Sequence, residues 1–138
     1  MSGNRKSQQQ LTPLELQIMN VLWDWGPSNV QAVQEKLAGS PKLAYTTVQT
    51  MLNVLHRKGR VRRRLRGRAF AYAPVLTRDK AASNAIGDMI DRLFAGSVDG
   101  LLMSLVKSQQ LDPKKLQELS GLVEEHERGK KGKEHESD

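Results

Sequence analysis

The sequence predicts a mainly α-helical protein with a small β-hairpin wing: three short helices and the hairpin come first, and three further helices follow. Apolar residues recur at helical spacing after clear start signals, the first of which is Thr12-Pro13. Eight of the twelve residues from Arg57 to Arg68 are Lys or Arg, and apolar residues alternate with them as in a strand. This order of elements is typical of a winged helix-turn-helix domain followed by an α-helical domain.

The first predicted helix begins at Thr12, which is followed by Pro13 and Glu15. The Thr12 hydroxyl can accept from the backbone N–H of Glu15 while the Glu15 carboxylate accepts from that of Thr12, so the pair forms a capping box. Pro13 fits the first helical position because the N–H that it lacks would have no partner there. The apolar positions as far as Gly26 predict a buried stripe of Leu14, Ile18, Val21, Leu22 and Trp25.

Two more short helices are predicted before the basic segment. Ser28 and Gln31 form a second capping box, and the helix that follows has an apolar face of Val30, Val33 and Leu37. The third helix runs from about Tyr45 to Lys58 and ends at Gly59. Its core face is predicted to be Val48, Met51, Leu52 and Leu55.

The outer face of the third helix is mostly polar, although it includes Val54, and it carries no carboxylate. A helix fits the major groove of B-DNA, where amide side chains can pair with adenine and threonine can contact thymine. We therefore expect DNA contacts from Thr46, Thr47, Gln49, Thr50, Asn53 and Arg57. The alternative is that Thr46 or Thr47 only caps the helix and that the other side chains form a solvated face.

The basic segment predicts a hairpin with strands Val61–Arg66 and Arg68–Ala73, joined at Gly67. Phe70 and Tyr72 share one face and are predicted to form the core of the wing. The strands contain no acidic residue, whereas solvated strands usually mix both signs of charge. We therefore expect contacts with DNA phosphates or with the minor groove from Arg62, Arg64, Arg66 and Arg68.

Charge is distributed unevenly along the 138 residues, whose formal net charge is +7. From Lys36 to Arg78 there are eleven Lys or Arg and no Asp or Glu, whereas from Asp79 onwards nine basic residues accompany twelve acidic ones. The positive potential is thus confined to the middle of the chain and favours an anionic partner, either nucleic acid or a membrane surface. Nucleic acid fits better, because the basic segment lacks the interleaved apolar face that enters a bilayer interface.

Composition excludes several other classes of function. The absence of cysteine excludes disulfides, thiolate metal sites and cysteine nucleophiles. His56, His126 and His135 are far apart, so we expect no metal site, no cofactor and no enzymatic activity. No apolar run is long enough for a transmembrane helix and no secretory signal begins the chain, so we expect a cytoplasmic protein without membrane insertion.

Three amphipathic helices are predicted after Pro74; Thr77 caps the first and Asp112-Pro113 starts the last. About fifty residues are too few to enclose this many Leu, Ile and Met side chains, so a partner surface is needed. We expect a homodimer through residues 77–126, with contacts from Ile86, Met89, Ile90, Leu93, Leu101, Leu102, Leu105, Leu116, Leu119 and Val123.

The predicted boundaries follow from these patterns. Residues 11–75 form the winged helix-turn-helix DNA-binding domain, and residues 76–128 form the helical dimerisation domain. Residues 1–10 and 129–138 contain too little apolar surface to pack, so we expect flexible tails there.

Several segments resemble the penicillinase-repressor family of BlaI, MecI and CopY-like regulators, among them Leu14–Trp23, Ala44–Leu52 and Gly67–Tyr72. The resemblance extends from about Leu11 to Leu122. It implies a dimeric winged-helix repressor whose two recognition helices meet successive major grooves of a dyad operator.

The same resemblance implies a route of induction. Several members are inactivated when a membrane metallopeptidase sensor leads to cleavage within the dimerisation domain, and a monomer then loses the contribution of the second half-site. At the matching place this chain has Ser104-Leu105, where the cleaved members carry Asn-Phe.

Two alternatives to a DNA-binding repressor remain at this point. An RNA-binding or ribosome-associated winged helix needs aromatic platforms for stacking bases, and the candidates near the basic surface are Tyr45, Phe70 and Tyr72. A protein-interaction adaptor would instead use the C-terminal helices to dock on a membrane sensor. Aromatic residues make up only 4% of the chain, which weighs against the first alternative.

Overall fold

A computed structural model describes residues 10–37, 39 and 42–136. It confirms the predicted fold class, since the described residues form six helices and one two-stranded antiparallel hairpin. The elements in chain order are α1 (Pro13–Trp25), α2 (Val30–Lys36), α3 (Tyr45–Arg57), β1 (Val61–Arg66), β2 (Ala69–Pro74), α4 (Arg78–Leu93), α5 (Val98–Lys107) and α6 (Pro113–Glu136).

The chain divides into two compact units, Met1–Asp88 and Met89–Asp138. The division falls inside α4, so the first part of this helix belongs to the unit that contains the hairpin. Residues 1–9 of the predicted N-terminal tail lie outside the described residues.

Helix α1 begins as predicted. The Thr12 hydroxyl accepts from the Glu15 backbone N–H at 3.2 Å, and a Glu15 carboxylate oxygen accepts from the Thr12 backbone N–H at 2.8 Å. The prediction that Trp25 belongs to the buried stripe is wrong, because 65% of this residue is exposed. Its ring instead lies 5.0 Å from the Lys36 ammonium, a cation–π contact at the surface.

The cap of α2 differs from the prediction. Asn29 is the N-cap, and its side-chain oxygen accepts from the Ala32 backbone N–H at 2.8 Å. Ser28 has another role: its backbone N–H and C=O bond to Tyr72 of β2, and its hydroxyl donates to the carbonyl of Gly26. Ser28 therefore joins the loop before α2 to the hairpin, and the cap of α2 is supplied by the next residue, Asn29.

A single apolar core lies between α1, α2, α3 and the base of the hairpin. Its fully buried side chains are Ile18, Met19, Leu22, Val33, Val48, Leu52 and Leu55. Burial of such a side chain contributes roughly 1.5–3 kcal/mol to stability. The inner face of α3 supplies three members of this core, so packing fixes which face of the helix points outward.

The hairpin pairs Val61 with Pro74 at its base and Arg66 with Ala69 at its tip. The second strand thus begins at Ala69, one residue later than predicted, because Arg68 belongs to the turn. Gly67 adopts a positive φ of 65°, a conformation that suits glycine in a two-residue hairpin turn.

The chain after the hairpin is held against α1. The indole N–H of Trp23 donates to the Leu76 carbonyl at 2.9 Å, and the Arg78 guanidinium donates to Asp24 at 2.7 Å. Arg78 also lies over the Trp23 ring, 5.3 Å from its centroid. Helix α4 follows directly, with the Thr77 hydroxyl accepting from the backbone N–H of Lys80.

No side chain between residues 78 and 131 is buried in the single chain, and this range carries all ten predicted dimer contacts. Helix α6 starts after Asp112, whose carboxylate accepts from the Lys115 backbone N–H. It continues to Glu136, so helical backbone extends into the range predicted as a C-terminal tail. None of the described helices is long and apolar enough to cross a membrane.

Glu15 is a charged residue inside the core of the first unit. It is 1% exposed, and the Lys58 ammonium at the end of α3 lies 3.0 Å from its carboxylate. Burial raises the pKa of the Glu15 carboxyl, but the bond from the Thr12 N–H and the ion pair with Lys58 outweigh it. The pKa therefore lies below its ordinary value, and the carboxylate links the start of α1 to the end of α3.

Glu15→Gln should lower the free energy of unfolding at pH 7 by about 2 kcal/mol, because the amide keeps the cap but loses the ion pair. A folded-state pKa below the ordinary value of 4.5 stabilises the native state above that value, and this contribution is lost as pH falls through the folded-state pKa. Urea unfolding at pH 7 and in acid measures both effects. Glu118→Gln, at an exposed ion pair, is the control, and equal acid sensitivity of wild type and Glu15→Gln would contradict this role.

Candidate nucleic-acid interface

The outer face of α3 is free of packing contacts with the core. All six residues predicted to contact DNA from this helix are exposed: Thr46, Thr47, Gln49, Thr50, Asn53 and Arg57. The N-cap is Ala44, which makes no side-chain cap bond, so the interpretation of Thr46 or Thr47 as a helix cap is wrong. The two threonines lie within the first turn, where their side chains are available to a partner.

The field around this face is strongly positive. Within the described part of the chain, Lys58 is neutralised by Glu15 and Arg78 by Asp24. Six other arginines show no ion pair within that same part: Arg57, Arg62, Arg63, Arg64, Arg66 and Arg68. Guanidinium groups that no carboxylate neutralises attract anions, above all phosphates.

Tyr72 fixes the hairpin to α3. Its backbone N–H and C=O bond to Ser28 at 2.8 and 2.9 Å, and its ring is 2% exposed in the core. Its hydroxyl donates to the side-chain oxygen of Asn53 at 3.1 Å. One side chain of β2 therefore sets the distance between the outer face of α3 and the hairpin.

The same contacts define what Asn53 can do. Its side-chain oxygen accepts from Tyr72 and from the Arg63 guanidinium at 3.3 Å, so only its NH₂ group remains for a further bond. A bidentate pair with adenine needs both the oxygen and the NH₂ group. In this arrangement Asn53 can donate to a base acceptor such as adenine N7, but it cannot also accept.

Gln49 and Arg68 are brought together by the fold. They line one groove of about 190 Å³ between α2, α3 and the tip of the hairpin, together with Asn29, Gln31 and Tyr45. One amide and one guanidinium thus lie beside one groove although nineteen positions separate them in the sequence. The groove offers hydrogen-bond donors and acceptors of the kind that read base edges.

The two faces of the hairpin differ in composition. Arg63 shares a face with Tyr72, its direct partner across the strands, and this face meets α3. Because side chains alternate along a strand, Arg62, Arg64 and Arg66 lie on the other face. Their cross-strand partners are the small residues Ala73, Ala71 and Ala69. The arginine face is thus a shallow basic surface directed away from the contact with α3.

Arg63 belongs to the candidate interface through its contacts with Asn53 and Phe70, and the sequence interpretation missed it. Strand alternation could have identified it, because Arg63 is two residues from the core residue Val61 and therefore lies on the same face of β1. The hairpin core was also predicted incorrectly in one respect. Tyr72 is buried, but Phe70 is 39% exposed and lies under the Arg63 guanidinium at 4.4 Å.

Within the described ranges, no three carboxylate or imidazole side chains are arranged so that they could hold a metal ion. Of the three aromatic residues considered as stacking platforms, Tyr45 is exposed, Phe70 is partly covered by Arg63, and Tyr72 is enclosed in the core. The interface is therefore polar and cationic, with little aromatic surface.

Comparison with known proteins gives a consistent result. A family model described as penicillinase repressor matches residues 11–125. The penicillinase repressor of Bacillus licheniformis is 27% identical over 122 residues, which are 88% of this chain and 95% of that protein. The transcriptional regulator BlaI of Mycobacterium tuberculosis is 40% identical over 91 residues, which are 65% of this chain and 64% of that protein.

Among solved structures, the solution structure of the DNA-binding domain of the repressor BlaI is 30% identical to the matched part of this chain. The match covers 52% of this chain and 88% of that domain, with a TM-score of 0.47.

Tyr72→Phe should retain the buried ring and lose the hydroxyl bond to Asn53, at a cost of about 1 kcal/mol in the free energy of unfolding. Urea unfolding followed by circular dichroism measures this loss. Tyr45→Phe is the matched control, because the Tyr45 side chain is exposed. Equal stability of Tyr72→Phe and wild type would show that the hydroxyl does not hold the hairpin to α3.

Proposed function

The chain belongs to the penicillinase repressor family, and on that premise we propose that it is a dimeric, sequence-specific DNA-binding repressor of transcription that occupies a dyad operator. The observation that carries the proposal is the polar, carboxylate-free outer face of α3 beside an arginine-rich hairpin. Such a repressor acts by occupying a promoter and excluding polymerase, and it needs neither a cofactor nor an active site.

In this proposal α3 lies in the major groove and reads base edges. Thr46, Thr47, Gln49 and Thr50 point outward from its first half, the part of a recognition helix that commonly reaches the bases. Gln49 can pair bidentately with adenine, whereas Asn53 donates only. Each good base contact contributes roughly 1–3 kcal/mol of discrimination between sequences.

The arginines position the protein on the duplex. Arg57 at the end of α3 and Arg68 in the hairpin turn flank the base-reading face, and Arg62, Arg64 and Arg66 extend the cationic surface to the other side of the wing. Contacts of arginine with phosphates carry no sequence information of their own, but they release counterions and make affinity depend on salt.

We propose that the second half of the chain joins two copies. Every residue predicted to form dimer contacts is exposed or half-buried in the single chain: Ile86, Met89, Ile90, Leu93, Leu101, Leu102, Leu105, Leu116, Leu119 and Val123. Apolar surface of this extent is unstable in water unless another surface covers it. A two-fold dimer places two copies of α3 on the two halves of a dyad site.

We propose that induction acts on the same half of the chain, through cleavage between Ser104 and Leu105 after a signal from a membrane metallopeptidase sensor. Ser104 is exposed, and the bond lies in α5, where the carbonyls of both residues accept backbone N–H groups. A protease needs extended backbone, so α5 must open first. No side chain of α5 is buried in the single chain, so resistance to this opening comes from the proposed contacts of α5 with the second copy.

This function places the protein in the cytoplasm, where bacterial DNA is found. The RNA-binding alternative is less favoured, because Tyr72 is enclosed and Phe70 is partly covered. Gel shifts that compare duplex DNA with single-stranded and double-stranded RNA distinguish the two functions.

Gln49→Ala should weaken binding to the operator by about tenfold and leave binding to random duplex nearly unchanged, because it removes a base contact. Arg66→Ala should weaken both and reduce the salt dependence by about one phosphate contact. Fluorescence anisotropy at several salt concentrations measures both effects.

Gln17→Ala, on the exposed side of α1, is the matched control for Gln49→Ala. Equal losses on operator and random duplex for Gln49→Ala would contradict its role in reading bases.

A chain that ends at Ser104 is the N-terminal product of the proposed cleavage. It should sediment as a monomer and bind a dyad operator at least tenfold more weakly than the whole chain, because the second half-site no longer contributes. A chain that ends at Arg128 lacks only the predicted tail and should remain dimeric. Dimeric behaviour of the shorter chain would contradict both the dimerisation surface and its role in induction.

A further inference from the structure

The tip of the hairpin carries an apolar pair that lies outside the core. Leu65 and Phe70 are direct partners across the two strands, and 64% and 39% of their surfaces are exposed. The preceding pair on the same face is Arg63 and Tyr72, of which Tyr72 is buried. The hairpin thus extends past the core. Its last apolar pair is exposed to solvent, at positions where a strand ordinarily carries polar side chains.

The cross-strand partner of Leu65 is held in place through Arg63, which contacts α3. The Arg63 guanidinium lies 4.4 Å from the centroid of the Phe70 ring, and Arg63 also donates a hydrogen bond to Asn53 on α3. A two-residue turn closes the hairpin immediately after Arg66. The leucine is therefore presented on a braced ribbon, with little conformational freedom to lose on binding.

The surroundings of Leu65 indicate the chemistry of its partner. Arg64 and Arg66 are its neighbours in sequence and lie on the opposite face of the hairpin, and Arg68 follows in the turn. None of the three forms an ion pair within the described part of the chain. The partner must therefore offer phosphates beside an apolar interior. Duplex DNA does so, because stacked base pairs lie between two phosphate chains.

The position of the hairpin tip indicates which groove of the duplex it contacts. Leu65 lies two residues beyond Arg63 on β1, or about 7 Å further along the strand. Arg63 is fixed to α3, so a major groove occupied by α3 leaves the tip at the minor groove beside it. Apolar side chains that enter a minor groove between base pairs unstack them and kink the duplex.

We propose that Leu65, supported by Phe70, inserts between two base pairs of the minor groove that flanks the recognition helix and bends the operator there. The inference rests on the proposed function and extends it to DNA shape. Pyrimidine–purine steps unstack most easily, so a TA or CA step at this position is favoured although no side chain reads it by hydrogen bonds.

The experiment uses the full chain and a duplex enriched from random sequences by binding to it. Energy transfer between dyes at the two ends reports bending, and 2-aminopurine at each flanking step reports unstacking. Leu65→Ala removes the wedge, Leu65→Met retains its bulk, and Val75→Ala changes an exposed residue outside the hairpin. Circular dichroism confirms that each variant is folded.

Wild type, Leu65→Met and Val75→Ala should bend the duplex and raise 2-aminopurine fluorescence at one step. Leu65→Ala should lose both responses and bind about tenfold more weakly. A mismatch at that step makes the kink easier, so it should restore most of the affinity of Leu65→Ala.

Equal bending by Leu65→Ala and wild type would overturn the inference. Base-specific binding by the wild type without bending or unstacking would also overturn it, while leaving the repressor function intact. If no duplex can be enriched, the proposed function itself fails. Binding to vesicles of anionic phospholipid that depends on Leu65, without distortion of DNA, would assign the tip to a membrane surface instead.

Discussion

The position of the hairpin relative to α3 depends on Tyr72. Its backbone bonds to Ser28 hold β2 to the loop before α2, its ring completes the core, and its hydroxyl reaches Asn53. A two-stranded hairpin has little stability of its own, so without such anchoring it would have no fixed orientation. The polar outer face of α3 and the arginines of the wing form one surface because this residue joins them.

The bond from Tyr72 also limits the hydrogen bonds that Asn53 can form with a partner. The bond to Tyr72 engages the oxygen of Asn53 and leaves Asn53 as a donor alone, so Gln49 becomes the amide with both groups available. The arginines of β1 also differ in role, because side chains at alternate positions lie on opposite faces of the hairpin. Arg63 braces the wing against α3, whereas Arg62, Arg64 and Arg66 form a separate basic face. The charged segment thus contains a structural arginine among arginines available for phosphates.

Helical periodicity and the capping signals predicted the order of the elements and the outward face of α3 correctly, because both depend on local spacing. Leu52 and Leu55 are buried where their spacing placed them. The errors arose where a long-range contact overrode a local pattern. Ser28 fits a capping box, but its pairing with Tyr72 across forty-four positions takes precedence. Glu15 was recognised as a cap, but its burial against Lys58 depends on how α1 packs on α3.

In the hairpin, too, a local pattern predicted the faces of the side chains but not their burial. Strand alternation predicted that Phe70 and Tyr72 share a face, and they do. It could not predict that the core ends between them, which leaves Tyr72 enclosed and Phe70 partly exposed beside Leu65. How far a hairpin extends beyond its core is set by the packing of α1, α2 and α3 and not by the sequence of the strands.

We propose that α3 and the hairpin contact one duplex as a single surface. Amide chemical shifts of the full chain, followed by NMR during titration with the enriched duplex, report on both segments at once. Residues 45–57 and 61–70 should show changes that share one binding curve, and residues 113–131 should show smaller changes. Changes confined to only one of the first two segments, or two different binding curves, would contradict it.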